Sequence, residues 1–358
     1  MKTICLAAFL YCGLLAAAQK LPYKVIAYYT GKGSDVQQWP VEKLTHIIYS
    51  FLAIRGDTLC FTDTAQEHSL QQLVALKQQY PRLKIMISIG GWGGCGPCSE
   101  LFALAEHRNN FAKSTRALFD QYQIDGIDLD WEYPAIAGFP GHTYSPEDRN
   151  NFTALVQVLR QQLGNKYLIT FAAGGFTSFL EKSIDWDNVI PMVDFVNLMT
   201  YDLVGGYSKV TGHHTPTYDY MPGQGSANKC VTWLLQHNIP GKKLVVGAAT
   251  YARVWQNVPN VNNGLYQPGQ FKQGVDMESF KQYFSNTSGF TCYWDKKAKA
   301  PYQYNAAKQL FATFDNQRSI KAKTTFIRRK KLGGIMFWEL RSDAKIDGLT
   351  SAMANGLK

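Results

Sequence analysis

The sequence predicts an α/β fold, a (β/α)8 TIM barrel with a small α+β insertion subdomain between strands 7 and 8. Three observations predict it. Eight short runs rich in β-branched and apolar residues recur along the 358 residues, separated by stretches of helical periodicity. Several of these runs are apolar almost throughout, as expected for parallel strands covered on both faces. No glycine-rich dinucleotide fingerprint follows the first run, which disfavours an open doubly wound sheet.

In chain order, the expected strands are residues 25–29, 46–51, 84–89, 126–131, 168–172, 195–199, 244–248 and 334–337. The clearest helix start is Ser145-Pro146-Glu147-Asp148: a cap, a proline at the first helical position and acids in the first turn. Phe152, Leu155, Val156, Leu159 and Leu163 then fall at i, i+3, i+4, i+7 and i+11, one buried helix face. The gap before the eighth strand is too long for one helix. Residues 254–310 are rich in Asn, Gly, Tyr and Gln, and Pro259 and Pro268 interrupt any long helix. They read as the insertion, placed to wall a site at the C-terminal ends of the strands.

A chain with 46% hydrophobic and 18% charged residues is not disordered, and 7 cysteines are too few for a small disulfide scaffold. Lys2, the apolar run from Ile4 to Leu15 and Ala16-Ala17-Ala18 read as a signal peptide over residues 1–18, leaving 19–358 as an exported barrel. No membrane association is expected after cleavage, and no obligate oligomer; the reading is a monomer. Five cysteines then remain, Cys60, Cys95, Cys98, Cys230 and Cys292, so at least one thiol is free or bonded to another chain. Cys95 and Cys98 lack a second ligand pair at zinc spacing. They read as a local disulfide in an exposed loop, or as two unpaired thiols. The formal charge is +10, but the one dense run, Arg328-Arg329-Lys330-Lys331, suits a solvated helix end. No interleaving of basic and aromatic residues suggests nucleic acid. Adjacent His213 and His214 read as a surface pair rather than metal ligands.

The segment Asp125-Gly126-Ile127-Asp128-Leu129-Asp130-Trp131-Glu132 carries the chemistry. On a strand of period two, Asp128, Asp130 and Glu132 share one face and Ile127, Leu129 and Trp131 the other. With the apolar set against the helices, three carboxylates point into the barrel. Confined together they repel and lose solvation, so at least one keeps its proton well above the usual range. Such a group can act as a general acid near neutral pH.

Read as D-G-x-D-x-D-x-E, this segment resembles the signature of glycoside hydrolase family 18, the chitinases and their relatives. Ser88-Ile89-Gly90-Gly91-Trp92 is similar to the family's S-x-G-G motif, and Met199-Thr200-Tyr201-Asp202 to its M-x-Y-D. Gly333-Gly334-Ile335-Met336-Phe337-Trp338-Glu339 resembles its eighth strand. Tyr251 and Arg253 lie where a Y-G-R segment is usual, with Ala252 in place of the glycine. The resemblance implies retaining hydrolysis of β-1,4-linked N-acetylglucosamine polymers without a carboxylate nucleophile. It implies Glu132 as general acid and base. Asp130 would hold the substrate's acetamido N–H, Asp128 would share a proton with Asp130, and Tyr201 would bond the acetamido carbonyl. Trp338, Trp92, Tyr28, Met199, Asp202, Tyr251 and Arg253 would bind the sugar, and Phe51 is left as core. No cofactor and no metal are implied. A sugar-binding lectin without activity is the competing class, but such relatives have usually lost an acid of the motif, and all three are present here. An endo-β-N-acetylglucosaminidase acting on N-glycans is the third reading.

Overall fold

Eight parallel strands close on themselves in the computed structural model, which describes residues 23–358 except Tyr220 and Pro222. The expected signal peptide lies outside the described residues. The strands are β1 (Lys24–Tyr29), β2 (His46–Arg55), β3 (Lys84–Gly90), β4 (Gly126–Asp130), β5 (Leu168–Gly174), β6 (Phe195–Met199), β7 (Leu244–Ala249) and β8 (Gly334–Trp338). Each pairs with its successor, and β8 closes the ring by aligning Met336 with Ile26 of β1. All eight expected strands are present, with ends shifted by a few residues. β2 runs on to Arg55 and turns into an antiparallel pair with Thr58–Cys60, whereas β4 stops one residue before Trp131.

Period-two alternation divides the core into two layers. Ile26, Tyr28, Ile48, Met86, Phe195, Val245 and Met336 fill the barrel, while their neighbours Val25, Ala27, Ile47, Ile85, Ile127 and Leu129 meet the surrounding helices. The helix Asp148–Leu163 buries the stripe Phe152, Leu155, Val156, Leu159 and Leu163. Burying each of these side chains contributes about 1.5–3 kcal/mol relative to leaving it in water.

Local expectations are corrected at several points. The helix after Ser145 begins at Asp148, and Ser145 does not cap it. Asp148 is fully buried, and its carboxylate instead accepts from the Ser145 backbone N–H (2.8 Å) and the Ser99 hydroxyl (2.9 Å). Between β1 and β2 there is no α-helix, only the 3-10 turns Gly33–Gln38 and Val41–Lys43, separated by Trp39 and Pro40. The last helix, Leu349–Gly356, covers that wall: Lys43 Nζ donates to Ser351 Oγ at 2.9 Å, and the Trp39 indole N–H donates to the Asp343 carbonyl at 2.9 Å. Cys95 and Cys98 do form a disulfide, but both are buried rather than in an exposed loop. Cys60, Cys230 and Cys292 are free.

Between β7 and β8 the chain forms a second, five-stranded antiparallel sheet. Its order is Gln270–Asp276, Tyr251–Gln256, Leu310–Thr313, Ala300–Asn305, Thr291–Asp295. Trp255, Tyr302 and Phe311 pack in one cluster of this unit; Val254, Phe284 and Phe314 pack in another. The helix Gln317–Lys330 then leads back to β8, opened by a reciprocal Asn316–Ser319 capping box and closed by exposed Arg328, Arg329 and Lys330. Within it, buried Lys323 donates to Asp315 (2.6 Å) and Thr215. His213 and His214 are both fully buried, not a surface pair. Carboxylates draw them inward: His213 Nε2 lies 3.1 Å from Asp295 Oδ2 of the second sheet, and His214 Nδ1 lies 3.4 Å from Asp202 Oδ1.

Candidate active site

The inward face of β4 builds the site from below. Asp128 is fully buried inside the barrel. Its Oδ2 accepts from the Tyr28 hydroxyl (2.8 Å) and Ser88 (3.2 Å), and its Oδ1 from Thr170 (2.6 Å) and the Asn197 amide (2.9 Å). Burial raises its pKa, and these four donors oppose that shift. Asp130, one step up the strand, is buried with Oδ1 lacking a protein partner. Burial, then the charges of Glu132 and Asp128, push its pKa well above the carboxylate range. Glu132 lies just past the strand end, at the mouth. Burial pushes it up to about 7, with the Tyr133 hydrogen bond opposing and the Asp202 charge adding. On the opposite face, Ile127, Leu129 and Trp131 are buried outward, Trp131 against Phe102 and Phe152.

The neighbouring strand explains the glycine pair after Ser88. Gly90 has φ +93°, and a Cβ there would come within 2.2 Å of the Asp130 carbonyl oxygen. Only glycine lets β3 lie this close to the strand carrying the acids. The Gly91 N–H then donates to the same carbonyl at 2.8 Å.

From β6, Met199 and Tyr201 line the opposite wall with Asp202. Arg253, on the first strand of the insertion, grips Asp202 through two bonds of 2.8 and 2.5 Å and lies over the Tyr251 ring. Burial pushes the Asp202 carboxyl up, yet His214 and Arg253 more than offset it and hold the group well below its usual range. Burial, then charges including those of Asp130 and Glu132, keep the Tyr201 hydroxyl protonated.

These groups open into a cleft of about 800 Å³ at the C-terminal mouth of the barrel. Trp338 forms its floor, stacked on Phe51 with ring centroids 5.7 Å apart and planes 17° apart. Trp92 stands at the rim, 47% exposed, with Tyr133, Phe139 and Tyr207 around it. Cis peptide bonds occur at Ser50–Phe51, Glu132–Tyr133 and Trp338–Glu339.

Of the residues singled out in the sequence, Asp130, Glu132, Tyr201, Trp338, Trp92, Met199, Asp202, Tyr251 and Arg253 line this one cleft; Asp128 and Tyr28 do not. The expectation of Tyr28 as a sugar contact is corrected. It is buried beneath Trp338, 5.8 Å between rings, because its inward position on β1 lies too deep in the barrel. Phe51, expected in the core, lines the cleft. Sequence reasoning also passed over Tyr133, Tyr207, Asp276 and Glu339 as lining residues. Tyr133 follows Glu132 directly and Tyr207 follows a glycine pair shortly after Asp202, so both were open to detection. Asp276 lies in the insertion with no motif around it. Glu339 is held by Thr30, which donates from its backbone N–H (3.0 Å) and its hydroxyl (2.5 Å).

Comparison with known proteins finds relatives over most of the chain. The family described as Glycosyl hydrolases family 18 matches residues 24–343. Chitinase A1 of Niallia circulans is 35% identical over 299 residues; the match covers 77% of this chain and 43% of that protein, so the chain spans under half its length. Chitinase B of Serratia marcescens is 28% identical, with 93% of this chain and 81% of that protein covered. Among solved structures, a family 18 N-acetylglucosaminidase from Paenibacillus barengoltzii aligns with a TM-score of 0.85 at 35% identity, over 93% of this chain and 99% of that one.

Proposed function

The chain belongs to glycosyl hydrolases family 18, and from that premise we propose that it hydrolyses β-1,4 bonds of chitin or chito-oligosaccharides with retention. The observation that carries this reading is the stacked pair of acids lining one cleft: Glu132 at the mouth, which burial pushes up to about 7, above the more deeply buried Asp130. Glu132 protonates the leaving glycosidic oxygen. Asp130 accepts from the acetamido N–H of the sugar over Trp338, turning the acetamido oxygen onto the anomeric carbon. That oxygen forms the oxazolinium ion, so no protein carboxylate bonds to the sugar. The Asp130 carboxyl dipole faces the developing positive charge, and Tyr201 donates to the acetamido oxygen. Glu132, now ionised, takes a proton from the incoming water. Trp338 and Trp92 offer flat apolar faces to the C–H faces of successive sugars. The apolar leader in the sequence supports reading the enzyme as exported.

Release of single N-acetylglucosamine units is a second reading, favoured by the Paenibacillus structure described as an N-acetylglucosaminidase. Time-resolved separation of the products of chitohexaose, with their anomers, tests both. Early β-anomeric dimers and trimers support chitinase action, early monomer supports the second reading, and α-anomeric products contradict retention.

The pH profile follows from the sign of one shift. Glu132 must carry a proton to act as acid, and its pKa is raised to about 7, so the acid form dominates below that pH. On chitohexaose kcat/KM is expected to fall about tenfold per pH unit above the Glu132 pKa. A rate that stays flat from about pH 5 to about pH 10 would exclude Glu132 as the acid.

A further inference from the structure

We infer that the Cys95–Cys98 disulfide is a positioning device that holds the Trp92 indole at the rim of the cleft, an inference that rests on the glycosidase reading above. Trp92 stands in a segment with glycine at positions 90, 91, 93, 94 and 96. Such a backbone loses more conformational freedom on ordering than any other composition. The indole is 47% exposed, and its ring neighbours come from other loops: Phe139 at 5.7 Å, Tyr207 at 6.1 Å and Tyr133 at 6.3 Å. The inner core therefore does not fix it.

Two anchors flank it instead. On the strand side the Gly91 N–H donates to the Asp130 carbonyl at 2.8 Å. On the other side the Gly94 N–H donates to the Gly91 carbonyl at 2.9 Å, and Cys95 follows at once. Both cysteines are buried in the apolar layer between barrel and helices, in the same cluster as Phe102 and Trp131. Cys95 also packs over the strand end that meets Asp130: a Cβ on Gly90 would lie 3.5 Å from Cys95 Sγ. Gly96, between the two cysteines, lies against His142, whose ring is 4.9 Å from Phe139. The disulfide thus pins both the Trp92 loop and the neighbour against which Trp92 leans.

A bridge across only three positions removes little entropy from the unfolded chain, so its principal effect is local. A double-mutant cycle reads that effect. With both cysteines changed to alanine, KM for chitohexaose is expected to rise about tenfold while kcat stays within about threefold. The same change made in a Trp92→Ala background is expected to move KM by less than about twofold, because the group being positioned is gone. Equal KM increases in both backgrounds would mark the disulfide as merely structural and overturn the inference. Hydrogen exchange over residues 90–97 gives a reading that needs no sugar. Faster exchange in the cysteine-free protein supports the inference; unchanged exchange overturns it, whether or not the native protein cleaves chitohexaose.

Discussion

Glu132→Gln is expected to lower kcat on chito-oligosaccharides by about 10²–10⁴, the usual worth of a positioned general acid. The substitution keeps the shape of the side chain and its capacity to accept the Tyr133 hydrogen bond, but it removes the proton donor. It also removes the base needed by the second step. Sugar binding depends on Trp338, Trp92 and the polar groups around them, which the change leaves in place. Calorimetric affinity for chitohexaose is therefore expected to stay within about threefold of the native value, since only an interaction of the transition state is lost. Pre-steady-state turnover and titration on the same preparation separate the two effects. A variant retaining more than about a tenth of the native rate would mean that another group supplies the proton.

The second large effect belongs to Asp130. Its Oδ1 is buried without a protein partner, an arrangement that costs stability. Asp130→Ala removes the acceptor for the acetamido N–H and, with it, the carboxyl dipole beside the developing cation. The loss in kcat is expected to be about 10²–10³, comparable to deleting one preorganised stabiliser of a transition state. Because the unpartnered atom disappears with the side chain, the thermal midpoint is expected to stay level or rise, which calorimetry can follow. A rate unchanged within about threefold would remove Asp130 from the chemistry.

The barrel was legible because its signal is local. A continuous apolar run such as that of β7 needs two covered faces, and parallel pairing supplies them. The acidic stack was equally open to reading, because a period of two assigns Asp128 and Asp130 to one face regardless of what surrounds them. What sequence missed depends on packing between distant segments. His213 and His214 carry no mark of burial until Asp295 and Asp202 are brought to them by the insertion and the β6 loop. Phe51 looks like any core aromatic, yet it lines the cleft, stacked against Trp338. Asp148 reads as an ordinary first-turn acid, and only the approach of Ser99 shows why it is buried.

The decisive comparison uses two fluorogenic substrates, 4-methylumbelliferyl chitobioside and 4-methylumbelliferyl cellobioside, which differ in bearing an acetamido or a hydroxyl group at carbon 2. If the substrate's acetamido oxygen is the nucleophile, the first is cleaved and the second is turned over at least about 10³-fold more slowly, because an intramolecular attack has been deleted. Comparable rates on both would show that a protein group or water attacks the anomeric carbon, and would contradict the role of Asp130 in orienting the acetamido group.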